Sequence, residues 1–124
     1  MPKGKHRVLI VDDEPDILLM LRVNFETEGY DTLLASDGAT ALRRIQEDNP
    51  DVVLLDIMMP ILDGWAVLQE CAKLADAPRI IVLSAKAGSD DIARAQKLGA
   101  AEYVTKPFDP DQLIRIVNDV LERE

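Results

Sequence analysis

Residues 52–56 read Val52-Val53-Leu54-Leu55-Asp56, an unbroken apolar run closed by a carboxylate. A short continuous run of this kind suits a strand buried on both faces, which is the habit of parallel sheets. The pattern repeats on either side. Val8-Leu9-Ile10-Val11 precedes Asp12-Asp13, and Ile80-Ile81-Val82-Leu83 precedes Ser84. Weaker runs lie at Thr32–Ala35 and at Tyr103–Thr105, the second followed by Lys106. The segments between them have helical spacing and helical punctuation. Pro15 after Asp13-Glu14 predicts a helix start, with Gly29 as its C-terminal signal and Ile17, Leu21 and Phe25 on one face. Ser36 or Asp37 opens a second helix that stops before Asn49-Pro50. Asp63-Gly64 opens a third, with Val67, Leu68, Cys71 and Leu74 on its apolar side. Ser89-Asp90 is read as the cap of a fourth, ended by Gly99, whose apolar side is only Ile92, Ala95 and Leu98. Asp109-Pro110-Asp111-Gln112 matches an N-cap, an N1 proline and a capping-box glutamine, ahead of a stripe of Leu113, Ile116, Val117, Val120 and Leu121. Strand then helix, five times over, with right-handed crossovers gives a doubly wound α/β sandwich around a parallel sheet.

The 124 residues are enough for one domain, expected over residues 1–124 with an ordered core at about 6–122. Fourteen basic against 23 acidic residues leave a net charge of −9. That balance argues against nucleic acid, whose phosphates need a basic footprint, and against an anionic membrane surface. The single cysteine, Cys71, excludes an internal disulfide and a cysteine-based zinc cluster, and the single histidine, His6, excludes a multi-histidine metal site. No apolar run approaches the ~18 residues of a membrane span. The expectation is a soluble, cytoplasmic protein.

The strong runs share one property: each ends on a polar residue. In an open α/β sheet the carboxyl ends of the strands lie along one edge, where ligands bind. Asp12, Asp13, Asp56, Ser84 and Lys106 should therefore meet in one small site. Two unit charges ~4 Å apart repel by ~4 kcal/mol at an effective dielectric of ~20. Lys106 offsets only part of the charge of three carboxylates. Either a carboxylate holds a proton or a cation sits among them, and an all-oxygen set favours Mg²⁺. Aspartate carboxylates attack phosphorus, while Mg²⁺, a lysine and a serine hydroxyl stabilise phosphoryl oxygens. Asp56 stands alone and suits the nucleophile; the Asp12-Asp13 pair suits the metal.

The residues VDDEP at 11–15, VVLLDIMMPILDGW at 52–65, LSA at 83–85 and YVTKPF at 103–108 occur in this order along the chain. In these motifs it resembles the response-regulator receiver domains of two-component signalling, of the chemotaxis-regulator-like kind. The resemblance implies a flavodoxin-like sheet of strand order 2-1-3-4-5 with helices on both faces. It implies Asp56 as phosphoacceptor, and Asp13, Asp56 and the main-chain carbonyl of Met58 as holders of Mg²⁺, with Asp12 acting through water. Ser84 would be the switch hydroxyl, Lys106 the phosphoryl-binding lysine and Tyr103 the rotating aromatic, and the bond before Pro107 is a candidate cis peptide. The implied donor is a sensor histidine kinase or phosphotransfer protein. The implied reader is a downstream protein or effector domain on the face of the fourth helix, fifth strand and fifth helix. Such a domain binds neither nucleic acid nor membrane itself, is a monomer or weak dimer, and catalyses only its own phosphorylation and dephosphorylation. With no output segment after Glu124, it is expected to be a stand-alone regulator or a receiver cut from a longer one.

Rival readings are weaker. Haloacid-dehalogenase-like phosphatases place a second catalytic aspartate two residues after the nucleophile, and here that residue is Met58. A nucleotide- or flavin-binding module needs glycines after the first strand, where this chain has Asp12-Asp13-Glu14-Pro15. A degenerate scaffold receiver would lack part of the acidic site, and all five residues are present. Ala101-Glu102 and Ile116 also depart from the residues with which transcription-factor receivers form their symmetric dimer, so that particular dimer is not expected.

Overall fold

The computed structural model describes residues 6–59, 63–86 and 88–123. Strand and helix alternate throughout: β1 (Arg7–Val11), α1 (Pro15–Thr27), β2 (Asp31–Ala35), α2 (Gly38–Asp48), β3 (Val52–Asp56), α3 (Gly64–Cys71), β4 (Arg79–Ser84), α4 (Ser89–Lys97), β5 (Glu102–Thr105) and α5 (Pro110–Glu122). The strands form one sheet in the order β2-β1-β3-β4-β5, every pairing parallel. This is the doubly wound arrangement expected, in the strand order that the resemblance implied.

Two cores follow from the period-two alternation of a strand. Val8, Ile10, Val52, Leu54, Ile81 and Leu83 point to the side covered by α1 and α5, against Leu21, Phe25, Leu113 and Val117. Leu9, Val11, Val53, Leu55 and Val82 point to the other side, against Ala41, Ile45, Val67, Cys71 and Ala95 from α2, α3 and α4. With both faces covered, the central strands carry almost no polar residue until they end. Among the described residues no helix is long and apolar enough to cross a membrane.

The helix ends follow local chemistry with some corrections. Asp37 and Asp63 cap α2 and α3, accepting from the amides of Thr40 and Ala66 at 2.7 and 3.0 Å. Asp109 caps α5 through the amide of Asp111 at 3.0 Å. Neither Ser89 nor Asp90 is the cap of α4: the N-cap is Gly88, without a side-chain hydrogen bond. In α1 the N-cap is Glu14, and its amide is held by Asp12 at 2.9 Å. Leu74 lies beyond the end of α3. On α5, Ile114 is buried while Ile116 is only partly so, a rotation of the helix by part of a turn from the expected stripe.

One glycine is fixed by close approach. The amide of Gly64 donates to the Ile57 carbonyl at 2.9 Å, closing the loop after β3. A Cβ at position 64 would stand 2.5 Å from the Asp56 carbonyl oxygen and 2.6 Å from the Ile57 Cα. Both are backbone atoms, so neither can swing away. Gly64→Ala is expected to destabilise the fold by ~2 kcal/mol, the scale of overpacking. A urea midpoint lowered at unchanged slope would register it.

Candidate functional site

The register of the sheet places the strand ends side by side. Val11 pairs with Leu55, Asp56 with Leu83, and Ser84 with Thr105. Residues that follow or end these strands therefore emerge on one edge. Asp12, Asp13 and Asp56 each offer a carboxylate oxygen, and these oxygens all lie within 4.8 Å of one another. Asp12 and Asp56 are buried, with 0% and 3% of their surfaces exposed, whereas Asp13 faces solvent.

Each buried group is held by named partners. One Asp12 oxygen accepts from the Glu14 amide and the other from the Lys106 ammonium, both at 2.9 Å. Lys106 lies farther from Asp56, at 3.6 Å. The Asp56 carboxylate accepts from the Met58 amide at 3.2 Å. The Ser84 hydroxyl oxygen accepts from the Lys86 amide at 3.0 Å, and the Tyr103 hydroxyl donates to the Lys86 carbonyl at 2.8 Å. The Lys106 amide donates to the Ser84 carbonyl at 2.7 Å, tying the β5 end to the β4 end. The Lys106–Pro107 peptide is cis.

The charges are unbalanced, and the titration of the site reflects it. Burial, then the negative charge of Asp12, push the Asp56 carboxyl up to about 6, although Lys106 and the Met58 amide pull the other way. Burial pulls the Lys106 ammonium down, but its hydrogen bond to Asp12 and the charges of Asp12 and Asp56 outweigh this and its pKa is raised. Lys106 is thus a permanent cation, and the one that ion-pairs with this cluster among the described residues. An all-oxygen donor set with surplus negative charge and one member close to solvent fits a hard divalent cation.

The sequence matches the family described as response regulator receiver domain over residues 8–118. The chain belongs to this family. Among curated relatives, a probable transcriptional regulator, ycf27, of Guillardia theta is 46% identical over 119 residues, which is 96% of this chain and 46% of that protein. The alkaline phosphatase synthesis transcriptional regulatory protein PhoP of Bacillus subtilis is 38% identical over 94% of this chain and 49% of its own length. The receiver thus spans about half the length of the curated relatives it matches. Among solved structures, the Francisella response regulator 1452 receiver domain superposes with a TM-score of 0.91 at 38% identity, covering 96% of this chain and 98% of that one. The Vibrio cholerae chemotaxis protein CheY4 superposes at 0.89 with 26% identity, over 94% and 99%.

Of the residues singled out from sequence, the receiver brings Asp12, Asp13, Asp56, Ser84 and Lys106 to one edge, with Tyr103 close by through Lys86. Pro60, Ile61 and Leu62 of the expected VVLLDIMMPILDGW motif lie outside the described residues. Sequence reasoning missed two things. Gly64, read only as part of the opening of the third helix, is the position where that helix is pressed against the Asp56 backbone. Lys86 is the hub on which both Ser84 and Tyr103 rest, through backbone atoms that no side-chain pattern reveals.

Proposed function

We propose that this receiver is a phosphorylation switch in which Asp56 accepts a phosphoryl group from a partner phosphohistidine. The observation that carries the reading is the buried Asp56 carboxylate, set within 4.8 Å of two more carboxylates and beside Lys106. An Asp56 oxygen attacks phosphorus, the bond to the donor imidazole nitrogen breaks, and the electron pair leaves with the donor. Lys106 is placed to pair with a phosphoryl oxygen once one arrives, and Ser84 to donate its hydroxyl proton to another. Asp13, Asp56 and the Met58 carbonyl would hold Mg²⁺, with Asp12 reaching it through water. Mg²⁺ supplies charge neutralisation at the phosphoryl oxygens when bound.

The new group adds about −1.5 to −2 charge to a site that already has surplus negative charge. Ser84 turning toward it must release the Lys86 amide, and Tyr103 then loses its fixed anchor at Lys86. The output face formed by α4, β5 and α5 shifts in population as a result. A downstream protein or effector domain reads that face. The receiver catalyses only its own phosphorylation and dephosphorylation.

Incubation with acetyl phosphate and Mg²⁺ is expected to add one phosphoryl group, seen in the intact mass, and chelation of Mg²⁺ to prevent it. An unchanged mass overturns the reading. The phosphorylated form is also expected to last minutes or longer in Mg²⁺. Met58 and Lys86, the exposed residues flanking the site, offer no side-chain acceptor to orient an attacking water. Loss of the group within seconds, followed by mass, would contradict this.

A further inference from the structure

α4 is the least anchored helix of the receiver. Ala95 is its one buried side chain, and its N-cap, Gly88, makes no side-chain hydrogen bond. Its first turn is acidic, with Asp90 and Asp91, and its last carries Arg94 and Lys97. A helix with so little burial has low local stability and is set in place by whatever few contacts remain.

Two contacts stand out. At its N-terminal end, the backbone of Lys86, two residues before the cap, is held on both sides by Ser84 and Tyr103. On its flank, the Arg94 guanidinium lies 4.1 Å from the centroid of the Trp65 ring on α3. Trp65 is the chain's single tryptophan, is partly buried and packs against the core beneath α2, α3 and α4. It directly follows Gly64, the residue pressed against the Asp56 carbonyl. One covalent neighbour and one ring contact therefore connect the Asp56 backbone to the flank of α4. This route shares no residue with the one through Ser84, Lys86 and Tyr103.

We propose that the Arg94–Trp65 contact is a latch that holds α4 in the arrangement belonging to unphosphorylated Asp56. The inference rests on the phosphoacceptor reading above. If Ser84 releases the Lys86 amide, the support at the start of α4 changes while Trp65 stays fixed by Gly64 and the core. A cation–π contact acts only within ~6 Å of the ring centroid. A shift of α4 along α3 thus weakens the contact in one arrangement and not in the other. An interaction made in one state only biases the equilibrium, and by linkage whatever releases α4 favours the phosphorylated state by the same factor. For an exposed cation–π pair that factor is about two- to fivefold.

The test is a double-mutant cycle on the whole chain with two readouts: hydrogen exchange of the α4 amides, and the rate of labelling by acetyl phosphate in Mg²⁺. Arg94→Ala and Trp65→Leu are each expected to raise both by about two- to fivefold. The double variant should rise no further than the singles, because both remove one interaction. Arg94→Lys, which keeps a cation over the ring, should restore part of the wild-type behaviour. Lys97→Ala, which removes another exposed cation from the same helix, should change neither readout. Arg94 is exposed, so its variants fold even if Trp65→Leu does not. Wild-type protein that labels while Arg94→Ala leaves exchange and labelling unchanged overturns the latch and leaves the acceptor standing. Singles whose effects add, or a Lys97→Ala effect as large as that of Arg94→Ala, overturn it as well. Wild-type protein that does not label overturns both.

Discussion

Asp56→Asn is expected to reduce labelling by acetyl phosphate in Mg²⁺ to background. An amide oxygen lacks the charge and basicity of a carboxylate, so the nucleophile is removed while shape and burial are kept. The neighbouring carboxylates are poor substitutes. Asp12 is fully buried with both oxygens engaged, one by the Glu14 amide and one by Lys106. Asp13 faces solvent at the rim. A second variant separates the acceptor from its surroundings. Lys106→Ala keeps Asp56 and removes the ammonium 3.6 Å from it, so labelling should persist but slow by about 10²-fold, as when a preorganised charge partner is lost. That variant also leaves Asp12 buried without its cation, so its labelling rate is to be compared at a temperature where circular dichroism shows it folded. Asp56→Asn protein that still labels at the wild-type rate would place the acceptor elsewhere.

What could be read from the sequence depended on the kind of contact involved. β1, β3 and β4 were legible because a strand covered on both faces must be apolar until it stops, so Asp12, Asp56 and Ser84 mark their own positions. The convergence of these residues followed from parallel topology alone. The strand order needed the family resemblance, since hydrophobic runs do not say which strands are neighbours. The preference of Lys106 for Asp12 over Asp56 could not be read, because both lie at adjacent strand ends and fractions of an ångström decide between them. Ile114 replaced Ile116 on the buried side of α5 because the tilt of a helix on its sheet sets its rotation, and sequence period alone does not. The Arg94–Trp65 contact joins residues on different helices, and nothing in the local spacing of either points to the other.

In the absence of divalent cations, Asp56→Asn is further expected to make the protein more stable, by on the order of 2–3 kcal/mol above about pH 6. The folded-state Asp56 carboxyl is raised to about 6 from an ordinary 3.8, first by burial and then by the charge of Asp12. An acid whose folded pKa lies above its unfolded one binds more protons when folded in the interval between them. Stability therefore falls as pH rises through that interval, and the contribution present below about pH 4 is gone above about pH 6. Asparagine carries no such charge, can accept the same Met58 hydrogen bond, and should flatten this part of the profile. The opposing effect is loss of the Lys106 pair, but Lys106 keeps its shorter contact with Asp12 at 2.9 Å. Urea midpoints of the two proteins in chelator, taken between about pH 4 and 8, should be similar at the acid end and diverge toward the neutral end. Added Mg²⁺ should then stabilise the wild type more than the variant, by up to ~2.7 kcal/mol at 100 times its dissociation constant, and so narrow the gap. A variant less stable than the wild type at neutral pH in chelator would mean that Lys106 already balances the site, and the case for a cation there would lose its electrostatic ground.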